Sequence, residues 1–262
     1  DLPKRHCEVP RFSIIGYGKL GGKELGYASD LDVIFLYDDE HPDAAELYSR
    51  LARKLTTWLT SVTAAGSLYD IDLRLRPNGT SGLLVSSVDA FRQYQQKDAW
   101  LWEHQALTRA RFVCGDAAIG QQFEAIRHQV LTQPRDIGPL RDEVLAMRAK
   151  MLESHPARDG DVKHARGGIV DVEFITQFLI LAHASQHPEL TRNSGNIALL
   201  GVAANVGLIP AELANQGQSA YRHYRRLQHA ARLNDSQTTD DIPQEDYRHV
   251  RALWQCALQD EA

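Results

Sequence analysis

The residues best suited to chemistry lie in one stretch, positions 16–32, GYGKLGGKELGYASDLD. Asp30 and Asp32 are two apart at the start of an apolar run, and a strand's period of two puts both on one face. Neighbouring carboxylates repel unless a positive charge sits between them. A hard divalent cation with oxygen ligands supplies one. Asp72, within LYDIDLRLR, sits on a second expected strand and can add a third carboxylate. Three carboxylates can hold two Mg²⁺ ions about 3.5–4 Å apart. Gly18, Gly21 and Gly22 follow an expected strand, and Ser29 precedes the carboxylates. A glycine-rich turn brings backbone N–H groups close to phosphate. Lys19, Arg74 and Arg76 can neutralise the same phosphates, arginine in bidentate fashion. Together these groups suit in-line displacement at the α-phosphorus of a nucleotide, with pyrophosphate leaving.

Plainer readings stand beside this one. A lone DxD is common at solvated strand ends, Asp72 can be a surface residue, and the glycines can be only a loop. The combination and its order favour the metal reading. Two rival motifs fail on spacing. Residues 16–21 match GxGxxG, but a dinucleotide fold needs a helix directly afterwards. Here Gly21, Gly22 and Gly26 break any helix, and the next strand starts by Leu31. A Walker A loop is excluded because Gly22-Lys23 is followed by Glu24.

Other constellations read as structural first. The 11 histidines include no HExxH, and His223 and His229 are six apart, off a common helix face. His104, near Arg109 and Arg111, reads as a packed, hydrogen-bonded histidine. On the helix expected there, those two arginines cannot share a face squarely, so one is expected at the nucleotide and the other at a structural acid. In KHARGGIVDVEF, Gly167-Gly168 opens a helix and Asp171 and Glu173 complement its dipole. The alternative is that Lys163 or the glycine turn faces nucleotide or substrate.

These residues need a scaffold. Positions 12–17 and 31–37 read as buried strands. Residues 45–62 repeat Leu47, Leu51, Leu55 and Leu59 at helical spacing. Residues 68–76 alternate as a strand with Asp70, Asp72, Arg74 and Arg76 on one face, ended by Pro77-Asn78-Gly79. The remainder reads as helices over 88–97, 99–113, 119–132, 137–154, 169–185, 197–206, 211–233 and 244–261. Residues 169–181, apolar on most sides, are expected at the centre of a bundle. Residues 237–243 are expected as a loop. The fold class is α+β, with a mixed sheet and helices over residues 1–120 and an all-α bundle over 121–262.

Composition is that of a globular chain: 43% hydrophobic, 24% charged, net charge −5. The acidity argues against a dedicated nucleic-acid partner. Cys7, Cys114 and Cys256 form no disulfide framework, which points to a reducing, cytoplasmic setting. No apolar run approaches the ~20 residues of a membrane span. The start, DLPK, has no apolar leader and no Met, so the chain reads as a fragment of something longer.

Four tracts carry a resemblance: GYGKLGGKELGYASDLDVIFLY, LYDIDLRLRPNGTSGLLVSS, WLWEHQALTRAR and GGIVDVEFITQ. They resemble the glutamine synthetase adenylyltransferases, relatives of the polymerase β-type nucleotidyltransferases. The resemblance covers nearly the whole chain and weakens after about Ile197. It implies a nucleotidyltransferase domain followed by a helical bundle. Asp30 and Asp32 then match the metal-binding pair, Asp72 the third carboxylate, and Gly18, Gly22 and Ser29 the nucleotide-binding turn. The implied activity is transfer of AMP from ATP, with Mg²⁺, to a tyrosine of glutamine synthetase, lowering its activity in control of nitrogen assimilation. Asp72 is expected nearest the incoming hydroxyl, where it would assist deprotonation. The family has a second, homologous half that removes AMP by phosphorolysis. The tract DAWLWEHQALTRAR looks like the adenylylating, C-terminal half, because Leu101-Trp102-Glu103-His104-Gln105 replaces the Arg-Trp-Glu-Arg-Tyr of the removing half. Removal of AMP, or a catalytically silent regulatory module, are the alternatives. Glutamine and the PII signalling protein are the implied effectors.

Overall fold

Strand alternation builds the first half of the molecule. A computed structural model describes residues 7–27, 29–64, 66–158, 160–192, 195–234, 236 and 243–259. The DLPK start and all but Pro243 of the loop expected at 237–243 lie outside the described residues. Strand β1 (Phe12–Gly16) is followed by a one-turn helix α1 (Gly18–Gly21) and strand β2 (Leu31–Tyr37). Val33 and Phe35 point to one side of the sheet and Ile34 and Leu36 to the other, each set into its own core. Helix α2 (Ala44–Thr60) covers the first face with Ala44, Tyr48 and Ala52. The second face is covered by α3 (Val88–Lys97), α4 (Leu101–Leu107) and α5 (Ala117–Leu131), through residues such as Phe91, Leu107 and Phe123.

The sheet is mixed. β1 runs antiparallel to β2 and to β5 (Arg111–Gly115). On its other edge β2 pairs in parallel with two short strands in turn. Its start takes β3 (Ile71–Asp72), and its end takes β4 (Val85–Ser87). The chain between them, residues 73–84, loops outward from one edge of one strand.

Three elements differ from expectation. The strand expected over 68–76 forms ladder pairs only at Ile71–Asp72. The Asp72 carboxylate accepts the backbone N–H of Arg74 at 2.8 Å, and the Arg76 N–H turns back to the Leu73 carbonyl at 3.4 Å. These local bonds compete with the ladder and end it. The helix expected over 99–113 stops after Leu107, and Arg111–Gly115 is strand β5. There Phe112 and Cys114 pair with Ile15 and Ile14 along the open edge of β1. The glycine turn, expected to hold no helix, makes the single turn α1.

The chain divides into two units between Val130 and Leu131. The expectation set this boundary at residue 120. Ile119, Phe123, Ile126 and Val130 of α5 pack into the sheet's core, so α5 belongs to the first unit. The second unit contains α6 (Ile137–Ser154), α7 (Ile169–His183), α8 (Asn196–Asn205), α9 (Ala211–Leu233) and α10 (Gln244–Leu258). As expected, α7 is its centre: residues from Ile169 to Ala182 are buried on most sides, and α6, α8, α9 and α10 pack around it. Among the described residues no helix is long and apolar enough to cross a membrane.

Candidate active site

The parallel pairing of β2 with β3 sets Asp32 directly beside Asp72, with Leu31 beside Ile71. The Leu31 N–H donates to the Asp70 carbonyl at 2.8 Å and fixes this register. Two carboxylates from segments forty residues apart therefore sit on neighbouring strands and one face. Asp30 lies one step before β2 and lines a cavity of about 400 Å³ with Asp72, Arg74, Arg76 and Thr80.

Gly18 backs this pair. Its φ is +50°, and a Cβ there would lie 2.2 Å from Asp32 Oδ2. Glycine is required twice at that position, for the left-handed backbone and for the close approach of the carboxylate. Ser29 is buried, and its hydroxyl accepts the Gly26 N–H at 3.1 Å, closing the loop ahead of Asp30.

The charges are unevenly balanced. Burial raises the Asp32 carboxyl above the ordinary carboxylate range. The negative charges of Asp72 and Asp30 push it further, while Lys19 and Arg109 pull it back. Asp72 goes the other way. Hydrogen bonds from the Arg74 side chain hold its carboxyl below the ordinary range. The Arg74 Nε donates to Oδ1 at 3.0 Å and to Oδ2 at 2.8 Å, and its Nη2 also donates to Oδ2. The Arg74 side chain is 78% exposed, so this pair can open at little cost.

The donor set fits a hard divalent cation: carboxylate oxygens only, from Asp30 and Asp72 in the cavity wall and from Asp32, whose carboxyl is raised by burial and then by its acidic neighbours. Among the described residues, no three His, Cys, Asp or Glu side chains converge into a complete ligand set. Asp72 is turned onto Arg74, and joining a shared ion requires that bond to open or be shared.

The other expected site residues have definite roles. Lys19, on α1, is close enough to Asp32 to lower its proton affinity. Arg76 donates to the carbonyls of Leu73, Thr80 and Gly82 at 2.7, 3.1 and 3.3 Å, so its guanidinium organises the 73–84 loop. The amides of Gly21 and Gly22 bond back to the carbonyls of Tyr17 and Gly18 at 2.7 and 3.0 Å. These two glycines make room for Arg109: a Cβ on Gly21 would lie 1.9 Å from the Arg109 carbonyl, and one on Gly22 2.6 Å from Arg109 Nη2.

Sequence reasoning missed this clamp. Arg109, after the end of α4, is buried and pairs at 2.7 Å with the half-buried Glu24 inside the glycine loop. Arg111, the first residue of β5, donates from Nε to the Gly21 carbonyl at 3.1 Å and from Nη2 to the Leu20 carbonyl at 3.1 Å. The expected division, one arginine to nucleotide and one to an acid, becomes one to an acid and one to the α1 carbonyls. An acid within a glycine loop was the available signal, but 85 positions separate Glu24 from Arg109. The tract around them is scaffold. Glu103 accepts the Trp100 N–H at 2.9 Å, and His104 Nε2 bonds the Gln95 carbonyl at 2.9 Å.

In the second unit, Asp171 has a structural role. Its carboxylate accepts from Arg148 Nε at 2.5 Å and from the Gly167 N–H at 2.5 Å.

Comparisons with known proteins place both halves of the chain. A family model described as glutamate-ammonia ligase adenylyltransferase matches residues 2–126, and one described as GlnD PII-uridylyltransferase matches residues 145–262. A bifunctional glutamine synthetase adenylyltransferase/adenylyl-removing enzyme of Chromobacterium violaceum is 72% identical over 256 residues, covering 97% of this chain and 29% of that protein. Proteins of the same name from Neisseria meningitidis serogroup A and Aromatoleum aromaticum are 56% and 59% identical, over 100% and 95% of this chain. The chain spans between 27% and 30% of the length of these three relatives.

Proposed function

We propose that this chain, which belongs to the family of bifunctional glutamine synthetase adenylyltransferase/adenylyl-removing enzymes, transfers AMP from ATP to a tyrosine hydroxyl of glutamine synthetase. The observation that carries this reading is Asp32 held in register beside Asp72, with Gly18 packed against it. In the reaction the tyrosine oxygen bonds to the α-phosphorus and the bond to the bridging oxygen of pyrophosphate breaks. The hydroxyl proton leaves, and lowered glutamine synthetase activity restrains nitrogen assimilation.

Asp30, Asp32 and Asp72 would hold Mg²⁺. Such ions supply electrostatic stabilisation of charge on the phosphates. Lys19 and Arg74 bring positive charge to the same mouth, and Arg74 can pass from the Asp72 carboxylate to a phosphate oxygen because both are bidentate acceptors. Gly18 and Ser29 shape the turn beside the nucleotide. Arg76, Gly21 and Gly22 act one step back, by fixing the two loops. A free tyrosine hydroxyl holds its proton to about pH 10. Asp72, at the cavity mouth, would take that proton once Arg74 has moved. The three cysteines are free, which supports a reducing, cytoplasmic setting. The match of residues 145–262 to a model named for PII-uridylyltransferase supports the PII protein as an effector, and glutamine is the second effector that the family resemblance implies.

The test is the intact mass of unmodified glutamine synthetase after incubation with this chain, ATP and Mg²⁺. A gain of one AMP per subunit is expected, and its loss with Asp30→Asn/Asp32→Asn. No gain, with loss of AMP from modified glutamine synthetase on adding phosphate, would assign the removing activity instead. Failure of the chain to bind Mg²⁺–ATP at all would favour a silent regulatory module.

A further inference from the structure

The 73–84 loop brings Arg74, Arg76 and Thr80 to the cavity wall. Its middle is a sharp reversal. Asn78 and Gly79 both take left-handed backbone, at φ +60° and +54°. Asparagine tolerates that region better than most side chains. Two bonds close the reversal: the Gly79 N–H donates to the Arg76 carbonyl at 2.8 Å, and the Ser81 N–H to the Asn78 carbonyl at 3.2 Å. Both stay within the loop.

A contact from outside the loop comes from α3. The Tyr94 hydroxyl oxygen faces the Asn78 backbone N–H. The same hydroxyl donates to Glu103 of α4, 2.9 Å from Oε1 and 3.0 Å from Oε2. Burial raises the proton affinity of Tyr94, and Glu103 adds to the rise. The hydroxyl therefore keeps its proton, gives it to Glu103 and turns a lone pair to Asn78.

Glu103 is buried, and its Oε2 also accepts the Trp100 N–H at 2.9 Å. Tyr94 and Trp100 are neutral donors, and a buried carboxylate is costly to keep. Closing the start of α4 does not by itself call for that charge, because glutamine serves equally well three residues into a helix. Glutamine, however, has one acceptor oxygen where Tyr94 and Trp100 use two. Its amide would have to face a hydroxyl or an N–H that is already a donor. The carboxylate is thus matched to holding Tyr94 and the helix start together.

We propose that Glu103 is a positioning residue for the nucleotide: through Tyr94 it braces the Asn78 turn and so sets Arg74, Arg76 and Thr80 at the cavity. Glu103 itself lies outside the cavity wall. The role rests on the transfer reading, since it concerns where the loop holds its groups for Mg²⁺–ATP. Preorganising a loop in this way lowers the ordering cost of binding.

The experiment compares the full chain with Glu103→Gln, Tyr94→Phe and the double variant. Amide hydrogen exchange is followed first, without nucleotide. Exchange across residues 78–82 should quicken in each variant, while β1 and β2 keep their protection. Calorimetry with Mg²⁺ and a non-hydrolysable ATP analogue should then show binding weakened about tenfold in each single variant. The double variant should be no worse, because both changes break one brace. In the transfer assay KM for ATP should rise with kcat nearly unchanged. Unchanged exchange at 78–82 overturns the brace, whatever the nucleotide does. Faster exchange with unchanged affinity overturns the positioning role and leaves transfer standing. A wild-type chain that binds no Mg²⁺–nucleotide overturns the transfer reading and the positioning role with it, and the exchange data still judge the brace.

Discussion

Asp32 and Asp171 are both carboxylates withdrawn from solvent beside the start of a regular element, yet their surroundings are opposite. Asp171 is 5% exposed, with an arginine on one oxygen and a backbone N–H on the other. Asp32 has two further carboxylates for neighbours, and its proton affinity is raised. The fold satisfies the carboxylate that holds it together and leaves the other part-buried beside like charges. An unbalanced charge of this kind marks a place where the fold expects something from outside.

The largest effect should come from breaking the satisfied acid. Arg148→Met leaves Asp171 buried without its partner, a change worth about 3–5 kcal/mol. Chemical denaturation should show that loss. Adding Asp171→Leu to Arg148→Met should recover much of it, and an undiminished stability in the single variant would break the contrast. Asp32→Asn should move the other way, raising the melting temperature at neutral pH by about 2–4 °C while transfer is lost. The sign follows from linkage. A carboxyl raised in the folded state binds its proton more tightly there than in the unfolded chain, so its contribution to stability falls as pH climbs from the ordinary value, 3.8, through the raised one. A thermal-shift series from pH 4 upward should show a shallower decline in the variant. The smallest effect on stability belongs to Arg74→Ala. The side chain is exposed, so the melting temperature should stay put, but the Asp72 carboxyl should rise toward its ordinary range. Carboxyl chemical shifts followed through an acid titration would reveal that rise.

Periodicity exposed much of this molecule. The alternation of 31–37, the leucines at helical spacing in α2 and the all-round apolarity of α7 fix both cores, because burial and backbone period are local properties of the sequence. DxD at a strand start located the centre of the candidate site for the same reason. Patterning failed where a side chain competes with its own backbone. LYDIDLRLR alternates through Arg76, but the Asp72 carboxylate takes the Arg74 N–H and the strand ends at Asp72. It failed again at β5, where RFVCG follows a helix without a glycine or proline break and strand character depends on the open edge of β1. The Arg109–Glu24 clamp was invisible because nothing local links the two residues. Arg76 illustrates a related limit: residue type suggested a phosphate ligand, while three carbonyls of its own loop claim the guanidinium.

The loop at residues 73–84 has a consequence for how this protein can change. Both of its ends are pinned to the same edge of β2, through β3 and β4, and Arg76 ties its interior together from within. Lengthening a surface loop between fixed ends costs only about 0.6 kcal/mol per doubling. Insertions there can reshape the rim around Arg74 and Thr80 without shifting the register of Asp32 and Asp72. The rim past Arg76 can therefore change shape while Arg74 and the paired carboxylates stay where they are.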